Sequence, residues 1–151
     1  MPKSWIKVFA TSFYIGYSPL APGSLASLLG LGVSLLLRGN LVVYVLVTAV
    51  VLLLGFVAAD RMEAIVQRKD PSCVVIDEVG GSLLAFFMLP ATTPVLITAF
   101  FLFRAFDMFK IYPMNRLEKL PGGIGIMMDD IVAGIYTNVV MQIALRWAGM
   151  G

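Results

Sequence analysis

The sequence predicts an all-α fold: a polytopic membrane helical bundle of about five transmembrane helices plus an N-terminal interfacial helix. Three observations lead there. The 151 residues are 60% hydrophobic and 13% charged, with a mean hydropathy of +0.93. A water-facing surface ordinarily draws on roughly 25% charged residues, so the surplus apolar surface calls for lipid. The stretch Leu41–Ala59 carries no charge and is long enough to cross a hydrocarbon core of about 30 Å. Finally, the basic residues segregate to one side once the apolar stretches are threaded through a bilayer. The length supports a single domain over 1–151.

Each element follows in order. Met1–Tyr17 mixes Trp5, Ile6, Phe9, Phe13 and Tyr14 with Lys3 and Lys7, and reads as a helix lying in the membrane interface. It lacks the long apolar stretch and small-residue cleavage site of a secretory signal. Ser18-Pro-Leu-Ala-Pro-Gly-Ser24 is a loop, and Leu25–Leu37 the first span. Arg38-Gly39-Asn40 is a tight turn before the Leu41–Ala59 span, and Asp60–Pro71 is a polar connection. The apolar stretch Val79–Phe103 contains Pro90 and Pro94, which suit a turn rather than a helix centre. A hairpin with arms Ser72–Leu89 and Pro94–Ile111 is therefore expected, each arm about 27 Å long. The last span runs from about Asp129 to Trp147.

The hairpin sorts the charges. With a cytoplasmic N-terminus it places Lys3, Lys7, Arg61, Arg68, Lys69, Arg104, Lys110, Arg116 and Lys119 inside, leaving Arg38 and Arg146 outside. A single span across the prolines would divide the basic residues almost evenly, against the positive-inside rule. The hairpin also gathers all 9 carboxylates on the cytoplasmic side.

Composition removes several chemistries. The chain has no His and only 1 Cys, which excludes imidazole catalysis, imidazole metal ligands, an internal disulfide and multi-thiolate metal sites. Its Cys73 is not followed by the Cys-x5-Arg pattern of a cysteine phosphatase, and its adjacent acids are not an Asp-x-Asp motif. A net charge of +2 gives no argument for nucleic acid.

What remains is carboxylate chemistry. Asp77, Glu78, Asp107, Asp129 and Asp130 fall within or at the mouths of proposed spans, where ionisable groups are costly and usually paired or functional. Acids converging on one end need a cation, and an oxygen-only donor set favours Mg²⁺ over softer metals. Blander roles exist for some of them. Asp129 could cap the last helix, and Arg104, Asp107 and Lys110, at i, i+3 and i+6, could satisfy one another. Asp60, Glu63, Asp70 and Glu118 read as solvated loop charges. On the same face, Gly122, Gly123 and Gly125 precede the acid pair and could free backbone N–H groups for an anion. Ser18 and Ser24 offer hydroxyls, and Arg104 and Lys110 offer phosphate-binding cations. Carboxylate-held metal, anion cradle and basic clamps at headgroup level suit phosphoryl hydrolysis on a lipid. The alternative is a small transporter or channel subunit moving cations or protons. It would ordinarily place polar groups at the midplane, whereas these acids share one end.

The segments Ser18-Pro-Leu-Ala-Pro-Gly-Ser24, Ile76-Asp-Glu-Val-Gly-Gly81, Phe103-Arg-Ala-Phe-Asp-Met-Phe-Lys110 and Gly122-Gly-Ile-Gly-Ile-Met-Met-Asp-Asp-Ile-Val-Ala-Gly134 resemble, in order, those of the phosphatidylglycerophosphatase A family. The resemblance covers essentially the whole chain. One departure is Lys110-Ile-Tyr-Pro113 where the family has Lys-Pro-x-Pro, which would alter the end of the helix. The resemblance implies Mg²⁺-dependent hydrolysis of phosphatidylglycerophosphate to phosphatidylglycerol and phosphate. The setting it implies is the cytoplasmic face of a bacterial inner membrane. On this reading Asp77, Glu78, Asp129 and Asp130 hold the metal, and Asp77, Asp107, Asp129, Asp130 and Arg104 form the catalytic set. Ser18, Ser24, Arg104, Lys110, Gly122, Gly123 and Gly125 would contact the phospholipid. Attack by activated water is expected ahead of an aspartyl-phosphate route. Oligomeric state is not legible.

Overall fold

The computed structural model describes residues 2–150 and is helical throughout, with no strand among them. Seven helices follow in order: α1 (Lys3–Ala10), α2 (Pro22–Leu37), α3 (Leu41–Val66), α4 (Ile76–Ala85), α5 (Thr93–Phe109), α6 (Met114–Leu117) and α7 (Gly122–Trp147). A 3₁₀ turn at Ile15–Tyr17 links α1 to α2. The helices α3 and α7 are each 26 residues long and apolar enough to cross a membrane.

The helices start and stop where local chemistry dictates. Asn40 caps α3, its side chain accepting from the Val43 N–H. α2 and α5 carry proline in their first turn, where no N–H is needed. α5 ends because Lys110 turns left-handed at φ 46°.

Four expected boundaries shift. The Met1–Tyr17 helix is shorter: it ends at Ala10, because Ser12, Phe13 and Tyr14 all adopt positive φ and turn the chain back. Met1 itself lies outside the described residues. The Ser72–Leu89 arm is helical only from Ile76 to Ala85. Its first residues form a turn instead, with the Val74 N–H bonded to the Pro71 carbonyl and the Val75 N–H to the Ala10 carbonyl. The last helix starts at Gly122 rather than near Asp129, and α3 runs on through the expected polar connection to Val66.

Small residues let the central helices meet. α4 lies against α7 where a side chain at Gly134 would reach within 2.3 Å of the Gly81 carbonyl oxygen. Similarly, Gly55 of α3 receives the Met127 side chain of α7, and Gly30 of α2 faces Ser82 of α4. Small-residue contacts of this kind allow close backbone approach between apolar helices. Ala58, Ala59, Met62, Val75, Ile76 and Met127 form the core at one end. Phe86, Leu89, Val95, Ala99, Met141 and Leu145 form it at the other. Between them the Tyr44 hydroxyl donates to the Leu83 carbonyl at 2.6 Å and lies 3.0 Å from the Ser34 hydroxyl.

The resulting topology sets α2, α4 and α7 parallel, with α3 and α5 running the other way. Thus the first turns of α2 and α4, the last turn of α5 and the early turns of α7 all open at one end of the bundle.

Candidate active site

Helix placement decides which side chains converge. Asp77 and Glu78 fall in the first turn of α4, where the helix dipole and free N–H groups favour carboxylates. Arg104 and Asp107 occupy the last turns of α5, and Lys110 caps it. Because α7 begins at Gly122, Asp129 and Asp130 sit two turns inside the helix. Asp129 therefore does not cap α7; Pro121 holds that position.

These side chains line a cleft of about 340 Å³, together with Ala21, Pro22, Gly23 and Ser24 of the α2 N-terminus and with Asp70, Ser72, Val74 and Ile126. The acids Asp70, Asp77, Glu78, Asp107, Asp129 and Asp130 outnumber the bases Arg104 and Lys110. Arg104 Nη1 donates to Asp107 Oδ2 at 2.6 Å. Lys110 is paired with Asp129 and lies 3.3 Å from Glu118 Oε2. Of the self-contained stripe expected from spacing, only the Arg104–Asp107 half forms.

The remaining acids are left bare. Asp77 is 9% exposed and Asp130 1% exposed. Asp77 Oδ1, Glu78 Oε2 and Asp130 Oδ2 are buried without any hydrogen-bond partner. An uncompensated buried carboxylate costs several kcal/mol, so this cluster fits a bound cation. The geometry agrees. Asp77, Glu78 and Asp130 each offer an oxygen within 4.8 Å of the others, and so do Asp107, Asp129 and Asp130. Asp130 belongs to both groups, and the all-oxygen donor set suits a hard divalent ion.

Two expected anion-binding elements lie elsewhere. Gly122, Gly123 and Gly125 do not line the cleft. A Cβ on Gly123 would stand 2.2 Å from the Phe56 carbonyl oxygen, and one on Gly125 2.1 Å from that of Leu120. These positions are spent on backbone packing, and the Gly123 N–H points to Asp60 Oδ1 at 3.3 Å. Ser18 is likewise outside, its hydroxyl exchanging hydrogen bonds with the Leu20 backbone. Ser24 does line the cleft.

Some lining residues carry no local sequence signal. Asp70 and Ser72 reach the cleft only because the loop after α3 folds back over α4. Gly23 is more legible in retrospect, since it follows Pro22 at the start of a helix. The α2 N-terminus has no side-chain cap, which leaves the Gly23 and Ser24 N–H groups free at the cleft wall. A Cβ on Gly23 would come within 2.4 Å of Glu78 Oε1 and 3.2 Å of Arg104 Nη2. Gly23→Ala should therefore displace both groups, cutting turnover roughly tenfold or more while thermal unfolding in detergent barely moves.

The sequence pattern of phosphatidylglycerophosphatase A matches residues 8–145, nearly the full chain. The chain belongs to the phosphatidylglycerophosphatase A family. Relatives named phosphatidylglycerophosphatase A include one from Haemophilus influenzae, 34% identical across 94% of this chain and 90% of its own. Another, from Escherichia coli, is 30% identical across 97% of this chain and 87% of its own. A Bacteroides thetaiotaomicron protein, 35% identical across 93% of this chain and 92% of its own, bears the name "Putative phosphatidylinositol-3-phosphatase". No solved structure matches. Membership of the phosphatidylglycerophosphatase A family makes the chain a phosphatase.

Proposed function

We propose that the protein is a Mg²⁺-dependent lipid phosphate monoesterase that converts phosphatidylglycerophosphate to phosphatidylglycerol and phosphate. The observation that carries this reading is the pair of carboxylate triads sharing Asp130, set beside Arg104 and Lys110 in a chain of this family. Asp77, Glu78, Asp129 and Asp130 would hold one or two ions, with Asp107 completing the second triad. Bound there, a divalent cation supplies electrophilic polarisation of the phosphoryl group and activation of water.

The chain's own residues do the rest. Arg104 and Lys110 bind the phosphoryl oxygens, and the Gly23 and Ser24 N–H groups add neutral donors. Asp107 orients the water. A bond forms from the water oxygen to phosphorus, the bond from phosphorus to the glycerol oxygen breaks, and the water's proton ends on the leaving alkoxide.

The bilayer setting is part of the same proposal. Val42, Leu46, Val50, Leu53 and Val57 of α3 and Val139, Val140 and Ile143 of α7 face outward. Such a broad apolar exterior suits lipid contact. Exposed Trp5, Tyr14, Tyr17 and Tyr112 at the cleft end and Trp147 at the other suit two interfaces. α2, α3, α5 and α7 would span, and α4, only about 15 Å long, would do so with its flanking turns. The nine basic residues at the cleft end orient that end toward the cytoplasm of a bacterial cell.

The name of the Bacteroides relative brings in a second phosphomonoester headgroup, the 3-phosphate of phosphatidylinositol. The test is phosphate release from each lipid in mixed micelles. A kcat/KM at least about tenfold higher on phosphatidylglycerophosphate is expected. The reverse ranking would overturn the headgroup assignment.

A further inference from the structure

The cleft's two basic side chains are already engaged by the chain's own acids. Arg104 donates to Asp107 at 2.6 Å, and Lys110 is paired with Asp129. A phosphate dianion entering this cleft meets an excess of carboxylates, and both of its cations already have a carboxylate partner, Arg104 keeping its Nε without an acceptor. Like charges at such range strongly oppose binding. The two residues that hold Arg104 and Lys110 are also the ones that, with Asp130, bring three oxygens within 4.8 Å of one another. Asp107 and Asp129 thus have two competing uses, as counterions of the bases or as ligands of a cation. The bare Asp130 Oδ2 and Asp77 Oδ1, both buried, provide a landing point that requires no ion pair to break first.

We infer that Asp107 and Asp129 are exchangeable counterions that impose a binding order. With a divalent cation held by these acids first, Asp107 and Asp129 would share their charge with it, and Arg104 and Lys110 would be released to take the phosphoryl oxygens. Without the cation the cleft rejects phosphate. This inference rests on the phosphatase reading of the cleft and adds to it the order of addition and the device that enforces it.

Equilibrium dialysis of radiolabelled inorganic phosphate against the purified full chain in detergent tests the order. With Mg²⁺ the chain should bind phosphate at least roughly tenfold more tightly than with excess chelator. Asp107→Asn, which removes Arg104's counterion, should bind phosphate in chelator at least roughly tenfold more tightly than the unaltered chain. Asp129→Asn, freeing Lys110, should do the same and serves if the first variant unfolds. Equal phosphate binding with and without Mg²⁺ overturns the order. Folded variants that stay as weak as the unaltered chain in chelator overturn the counterion exchange. Lipid phosphate release by the same preparations separates the two levels. Hydrolysis with cation-independent phosphate binding discards the order alone, whereas neither hydrolysis nor phosphate binding discards the phosphatase reading with it.

Discussion

Asp130→Asn is expected to abolish turnover, lowering kcat by roughly a hundred- to thousand-fold or more. Its carboxylate is 1% exposed, one of its oxygens has no partner, and it belongs to both triads. Every other acid of the cleft serves one triad at most. Changing it to the amide keeps the shape and removes the charge from both candidate ion positions together. Because the buried carboxylate is unpaired without a cation, the same substitution should leave the apo protein as stable as before or more so. That combination separates a site residue from a structural one. Steady-state phosphate release and thermal unfolding in detergent, each with chelator and with Mg²⁺, measure both sides. In particular, the rise in unfolding temperature on adding Mg²⁺ should be lost in the variant.

The largest structural effect is expected from Gly81→Val. A Cβ at this position would lie 2.6 Å from the Asp130 carbonyl oxygen and 2.8 Å from the Phe103 ring, which is fully buried. The obstacles are a helix backbone and a locked aromatic side chain, so neither can yield cheaply. α4 would be levered from α7, at a cost of about 3 kcal/mol or more. Asp77 and Glu78 ride on α4 and Asp130 on α7, so the first triad would open at the same time. Fold and activity should fail together here, with unfolding temperature and turnover both falling. A variant with normal stability would contradict the close α4–α7 crossing.

The contrast between those two positions also marks what the sequence could reveal. Charges in apolar stretches stand out by their cost, and for that reason Asp77, Glu78, Asp107, Asp129 and Asp130 were all legible and all line one cleft. Arg104 and Lys110 were legible by the same token. The glycines were not. Glycine disfavours a helix interior by about 1 kcal/mol, which makes Gly122–Gly125 look like a loop. Contact with Phe56 and Asp60 of α3 overrides that preference, so the segment becomes the first turn of α7 and leaves the cleft. The wall next to Arg104 is formed instead by Pro22–Ser24, where a loop was expected to precede the helix. In the sequence Asp70 reads as a solvated loop charge, because nothing local to it records that the chain returns across the mouth of the cleft. The helical class followed from composition and charge-free apolar stretches, but α4's short length depended on Val75 pairing with Ala10, a contact between distant parts of the chain.

The most direct test of the metal-centred cleft is phosphate release from phosphatidylglycerophosphate in mixed micelles, with Mg²⁺ and then with excess chelator. Release that stops with chelator and returns when Mg²⁺ is restored is the expected result. Undiminished release in chelator would contradict the account, because the buried acids of the two triads would then be working without a cation.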